Sequence, residues 1–150
     1  MKRILVLLTV LVISASAYAQ IETPVKWQYA AKKINSKEAV VFLKAVIEPG
    51  WHIYSQTVKD GGPIRTSFTY AKSKDYVPLG KTIEPKPQTK YEKSFSMNVS
   101  YFENAVVFQQ KIKLNSAKAT SVSGKLEYMT CNDSKCLPPE EVEFSIPLGK

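Results

Sequence analysis

The sequence has few residues that could build a catalytic or metal-binding centre. It contains two cysteines, Cys131 and Cys136, and one histidine, His52, among 150 residues. Together they supply three zinc ligands, whereas a structural zinc site takes four, so we expect no metal site. A cysteine hydrolase would have to use His52, which lies in an aromatic segment where a packed imidazole is the simpler interpretation. The sequence also has no glycine-rich phosphate loop, and nothing in it implies a cofactor.

Only one long apolar run is present, and it lies at the N-terminus. A short basic start precedes apolar residues 4–17, and Ala17-Tyr18-Ala19 fits a signal-peptide cleavage site. The run is shorter than the roughly 20 apolar residues that a spanning helix needs. We therefore expect 1–19 to be a signal peptide. Residues 20–150 are then one soluble exported domain, not inserted in the membrane after cleavage, in a compartment where disulfides persist.

The charge is positive but spread along the chain. The formal net charge of +8 falls to +6 when the signal peptide, with Lys2 and Arg3, is removed. The lysines are scattered rather than clustered, and an exported protein rarely meets nucleic acid, so we expect no nucleic-acid partner. The charge indicates a solvated surface with a modest attraction for acidic partners.

Short segments of alternating apolar and polar residues, with turn residues between them, predict an antiparallel β-sandwich. Glu103-Asn104 joins two such segments and predicts the tip of a hairpin. Residues 81–90 contain Pro85 and Pro87 and predict a surface connection. Residues 117–120 fit either a loop or a strand. The clearest strand segments are Val25–Ala30, Glu38–Glu48, Ile64–Tyr70, Ala105–Leu114, Ser121–Tyr128 and Val142–Ile146.

The two cysteines are separated by four residues that favour a turn. In one extended strand, residues five apart point to opposite faces, so the sulfurs can meet only if the chain reverses between them. Asn132-Asp133-Ser134-Lys135 is suited to that reversal, which would bring Cys131 and Cys136 together as a cross-strand pair. Such a disulfide could be a structural staple or a redox pair, and the spacing leaves both open.

The residues around the cysteines resemble a known family. Tyr128-x-x-Cys-x-x-x-x-Cys-Leu-Pro-Pro-Glu140 is similar to the N-terminal periplasmic domain of DsbD, a bacterial transmembrane thiol-disulfide reductase. Pro49–Ser55 resembles the family's aromatic strand, and Tyr91–Met97 falls where the family carries a shielding loop. The family more often has five residues between its cysteines, whereas this sequence has four.

The resemblance implies an immunoglobulin-like β-sandwich and a function in periplasmic thiol-disulfide interchange. It implies that the protein is a component of a protein-disulfide reductase relay, in which Cys136 attacks an oxidised partner and Cys131 resolves the mixed disulfide. The implied partners are thioredoxin-like periplasmic proteins and a separate membrane electron carrier. Phe95, or else Tyr91, would shield the sulfurs. Further residues expected to line the site are Trp51, Tyr54, Asp133, Lys135 and Pro138.

An alternative from another class also fits the sequence. The chain could be an exported β-sandwich with a binding or structural role, in which the disulfide only pins the hairpin. A reduction potential would separate the two, because structural disulfides lie below about −300 mV.

Overall fold

The structure is a computed structural model that describes residues 22–116 and 121–149. These residues form eleven strands and one 3-10 turn, as the alternating pattern predicted. No helix among them is long and apolar enough to cross a membrane. The expected signal peptide and the open segment 117–120 lie outside the described residues. The strands are β1 Val25–Lys33, β2 Glu38–Ile47, β3 His52–Tyr54, β4 Ser67–Tyr70, β5 Tyr76–Ile83, β6 Gln88–Glu92, β7 Met97–Glu103, β8 Ala105–Leu114, β9 Ser121–Tyr128, β10 Thr130–Cys131 and β11 Glu140–Pro147; the 3-10 turn is Lys93–Phe95.

The strands make three antiparallel sheets. Sheet A has the order β1-β2-β8-β5, sheet B has the order β10-β3-β7-β6, and sheet C has the order β11-β9-β4. Sheets A and C pack face to face around the main core, and sheet B continues from sheet A. The expected all-β, immunoglobulin-like sandwich is confirmed.

Strict alternation in the long strands builds this core. In β2 every second residue, from Ala39 to Ile47, is buried, and the residues between them are only partly covered. Phe108 of β8 is fully buried and contacts the rings of Trp27, Phe68 and Phe102. Burial of one such ring contributes about 2–3 kcal/mol, and the contact between Phe108 and Phe68 joins sheet A to sheet C.

The predicted hairpin at Glu103-Asn104 is wrong. β7 and β8 do not pair with each other: Glu103 pairs with His52 of β3, whereas Ala105 pairs with Val46 of β2. Asn104 has a φ of 61° and bends one long strand so that it leaves sheet B and enters sheet A. Asn tolerates this left-handed conformation, so a residue typical of a turn here marks a bend.

Residues 81–90 were predicted to be a surface connection, and most of them are strand. β5 continues to Ile83 beyond an irregularity after Leu79, and β6 begins at Gln88. Only 84–87, with both prolines, connects the two strands. Both are edge strands, where proline nearby and polar side chains are tolerated.

Candidate thiol-disulfide site

The two cysteines form a disulfide across a four-residue hairpin tip, as predicted. The Sγ atoms are 2.00 Å apart, and the two residues bridge as antiparallel partners. The Asn132 N–H donates to the Lys135 carbonyl oxygen at 2.9 Å, and the Asn132 Oδ1 accepts from the backbone N–H groups of Ser134 and Lys135. The asparagine side chain therefore fixes the turn, as such residues do when they bond their own backbone.

The two sulfur-bearing residues differ sharply in exposure. Cys131 belongs to β10, pairs with His52 of β3, and is 1% exposed. Cys136 has only Cys131 as its strand partner and lies exposed at the surface. A protein partner approaching from solvent therefore meets residue 136 and not residue 131.

Cys131 rests on a small apolar cluster separate from the main core. The cluster contains Tyr54, Val58, Val99 and Tyr101, and Met97 and Met129 pack against it. These apolar side chains therefore keep Cys131 away from solvent.

His52 is the cross-strand neighbour of Cys131 and is 2% exposed. Its Nδ1 lies 3.5 Å from the Lys90 Nζ, and its Nε2 lies 3.2 Å from the Tyr54 hydroxyl. Because an ammonium can only donate, Nδ1 accepts and Nε2 carries the ring proton toward the Tyr54 oxygen. Burial, reinforced by the Lys90 charge, lowers the pKa of His52 to about 4, so the imidazole is neutral at neutral pH.

Two charged side chains of edge strand β6 reach the same cluster. The Lys90 Nζ lies 4.9 Å from the centre of the Tyr101 ring and 3.6 Å from the Glu92 Oε2. Burial, together with the charge of Glu92, raises the pKa of Tyr54. The Tyr54 hydroxyl therefore stays protonated beside the neutral imidazole.

The two residues predicted to shield the sulfurs lie in different positions. Lys90 faces His52 and Tyr101, so its neighbour Tyr91 points to the opposite face of sheet B, where it is 61% exposed. Phe95 ends the 3-10 turn and is half-buried, two residues before Met97, which packs against the Cys131 cluster.

The other predicted site residues are divided between the site and the rest of the fold. Tyr54 lies in the Cys131 cluster, whereas Trp51 packs against the main core. Asp133 and Pro138 are exposed on either side of Cys136. Lys135 is also exposed, and its Nζ lies 2.6 Å from a carboxylate oxygen of Glu22.

Sequence reasoning set His52 aside as a packed residue and did not include Lys90 at all. Both belong to the site only because β3 lies between β10 and β7, and because β6 pairs with β7 on its far side. The Trp-His-Ile-Tyr segment is a weak signal for this position, since alternation puts His52 and Tyr54 on one face.

The fold and the hairpin together define an immunoglobulin-like domain that carries one surface disulfide with a single exposed cysteine. Comparison with protein families narrows this class. The sequence model described as "Thiol:disulfide interchange protein DsbD, N-terminal" matches residues 20–147. The chain belongs to this family.

Solved structures agree on the fold. The N-terminal periplasmic domain of ScsB from Proteus mirabilis matches with a TM-score of 0.62 and 19% identity, over 85% of this chain and 47% of that one. The chain thus spans about half of the ScsB structure. The reduced N-terminal domain of DsbD from Neisseria meningitidis matches with a TM-score of 0.57 and 16% identity, over 89% and 94% of the two chains. A complex of the DsbD and PilB N-terminal domains from the same organism matches with a TM-score of 0.55 and 15% identity, over 87% and 88%. Comparison with the sequences of curated proteins gives no match.

Proposed function

We propose that this domain works in the periplasm, after removal of a signal peptide at 1–19, and passes two electrons from its reduced cysteine pair to oxidised proteins. The observation that carries the proposal is the unequal exposure of the two cysteines, 1% at Cys131 against an exposed Cys136. A staple needs no such difference, whereas an exchange reaction needs one sulfur that a partner can reach and one that acts within the domain.

The reaction begins at the exposed sulfur. The Cys136 thiolate attacks a partner disulfide, forms a mixed disulfide and releases one partner cysteine as a thiolate. The Cys131 thiolate then attacks the Cys136 sulfur, which releases the second partner cysteine. The Cys131–Cys136 bond forms, the domain loses two electrons, and the partner disulfide gains them. The disulfide form seen in the structure is the product of these two reaction steps.

Partners and electron supply follow from the same scheme. We propose thioredoxin-like periplasmic proteins as partners, and the neisserial complex between DsbD and PilB N-terminal domains supports a protein partner docked on this fold. Return to the dithiol needs two electrons from a separate protein, for which we propose a membrane electron carrier. No cofactor takes part, because the two sulfurs carry both electrons.

Trapping of the mixed disulfide tests the order of attack. With Cys131→Ala the resolving sulfur is gone, so we expect a stable mixed disulfide between Cys136 and an oxidised thioredoxin-like protein, visible on a non-reducing gel and by mass spectrometry. With Cys136→Ala, the matched control, Cys131 is buried and no adduct should form. Equal trapping by both variants would contradict the assigned order.

We also propose that Phe95 shields the reduced sulfurs from small oxidants. Phe95 ends its turn two residues before Met97, which packs against the Cys131 cluster, and this position supports the role. An apolar cover limits access to a thiolate until a partner displaces it. We expect Phe95→Ala to speed alkylation of reduced Cys131, the buried sulfur, several-fold, whereas Tyr91→Ala, on the opposite face, should leave the rate unchanged. Equal rates in the wild type and Phe95→Ala would contradict the role.

The rival function, a binding domain whose disulfide only pins the hairpin, is favoured by one observation. The Asn132 side chain and the backbone bond of the tip hold a rigid, exposed loop of the kind that a recognition surface uses. In that case neither cysteine variant would form an adduct with an oxidised thioredoxin-like protein.

A further inference from the structure

The outward face of sheet A gathers lysines that are far apart in the sequence. Alternation sends every second residue of β1, β2, β5 and β8 to this face, and the strand pairing sets them in rows. One row is Lys32, Val40, Lys111 and Leu79, and the next is Ala30, Phe42, Gln109 and Ile83. The remaining members are Lys26, Gln28, Glu38, Lys44, Val46, Val77, Ala105, Val107 and Lys113.

This lysine face has a formal charge of +4, from five lysines and Glu38. Among the ion pairs of the described ranges 22–116 and 121–149, none includes a lysine of this face. Lys113 has Glu38 as its cross-strand neighbour, whereas the other four lysines have no carboxylate opposite them and are available to an external partner. Apolar side chains lie between them, and Ile83 is 64% and Val77 43% exposed.

The opposite outer face of the sandwich, on sheet C, has the reverse sign. Lys125 there lies 2.8 Å from Glu141 and 3.7 Å from Glu143, and Glu127 is also exposed. This outer face of sheet C has a formal charge of −2, from one lysine and three glutamates. The domain is thus polarised across its two layers, which favours one orientation against a negatively charged surface.

The composition of the lysine face favours a lipid bilayer over a protein as its partner. Protein interfaces are enriched in Arg, Tyr and Trp and depleted of Lys. The lysine face has no Arg, Tyr or Trp, one phenylalanine and five lysines. An anionic lipid surface attracts basic residues through its overall potential and needs no matched geometry, and four to eight of them are typical of such contacts.

We propose that the lysine face docks the domain onto an anionic phospholipid bilayer, as a peripheral contact that does not span it. The lysines lie against the lipid head groups, and the apolar side chains between them enter the interfacial region. The lysine face contains no residue of the cysteine hairpin, so the exposed Cys136 stays free for a protein partner. The proposal does not depend on the redox function.

Sedimentation with vesicles tests the proposal. The protein is purified from the cells that express it, so that its N-terminus is the natural one. It is then mixed with vesicles of phosphatidylcholine alone or of phosphatidylcholine and phosphatidylglycerol in equal amounts. We expect binding to the anionic vesicles only, and its loss at about 1 M salt, where the screening length is about 3 Å.

Charge reversal locates the contact. Lys44→Glu with Lys111→Glu creates no like-charged cross-strand neighbour, because Lys44 pairs with Gln28 and Val107, and Lys111 with Val40 and Leu79. We expect this double variant to bind at least about tenfold more weakly, since each lysine near an anionic surface adds roughly fivefold. The matched control, Lys59→Glu with Lys72→Glu, changes the net charge equally in two loops outside the face and should bind as the wild type does.

Each other outcome overturns the proposal. Equal binding to neutral and anionic vesicles would mean that head-group charge is not recognised. Equal weakening in both double variants would mean that net charge, and not this face, is responsible. Binding to native membranes, which contain proteins, but not to the protein-free vesicles would mean that the partner is an acidic protein. Thermal unfolding of each variant, and the redox midpoint of its disulfide, show that fold and sulfur chemistry are unchanged, so a failure here is distinct from a failure of the redox function.

Discussion

Acidification should destabilise the domain through its one histidine. Burial and Lys90 lower the pKa of His52 to about 4, against 6.5 when it is free, even though Glu92 and Asp133 oppose the shift. Between these two values the unfolded chain binds a proton that the folded domain does not, so the free energy of unfolding falls as the pH drops through this range. Above about pH 6.5 the imidazole is neutral in both states, so His52 no longer lowers the free energy of unfolding. The full loss, at 1.36 kcal/mol per pH unit over about 2.5 units, is about 3 kcal/mol.

His52→Gln removes this titration and keeps an amide group that can still bond the Tyr54 hydroxyl. Urea unfolding of the two proteins from neutral pH down to pH 4 measures the effect, because the carboxylates contribute equally to both curves. We expect the wild type to lose about 3 kcal/mol more than the variant. NMR titration of the single imidazole gives the folded pKa directly. Parallel stability curves, or an imidazole midpoint near 6.5, would refute a buried neutral His52.

Three further predictions concern stability and can be measured by urea unfolding at neutral pH. Gly124→Ala should cost at least about 2 kcal/mol, because the new Cβ would lie 2.3 Å from the Thr69 carbonyl oxygen and 2.7 Å from the Phe144 ring; a loss under about 0.5 kcal/mol would contradict that contact. Phe108→Ala should cost about 3–5 kcal/mol through the cavity left among its aromatic neighbours, and a cost below about 1 kcal/mol would mean that the ring is not fully buried. Reduction of the disulfide should cost no more than about 2 kcal/mol, since the loop that it closes is short, and global unfolding on reduction would show that the bond is a staple.

Local sequence patterns predicted much of the fold. Alternation in Glu38–Ile47 and Ala105–Leu114 reflects one buried and one open sheet face, and such a pattern is written into the residues themselves. The cysteine hairpin was predictable for the same reason, since Asn132 makes its turn with near neighbours.

Features set by distant strands could not be predicted in this way. Asn104 is a residue type that suits both a hairpin turn and a bend within one strand. The chain bends there because the residue before Asn104 pairs with β3 and the residue after it pairs with β2. The burial of Cys131 depends on pairing with His52, 79 positions earlier. The lysines looked scattered because the rows that unite them run across four strands.

The equilibrium of the purified protein against a series of glutathione or dithiothreitol redox buffers tests the central claim most directly. Thiol alkylation and mass spectrometry read the fraction of the disulfide that is reduced. A relay domain predicts a midpoint at about −270 mV or higher, in the range of exchange-active pairs. A midpoint below about −300 mV, or a bond that resists reduction until the domain unfolds, would contradict the account and leave a pinned binding domain.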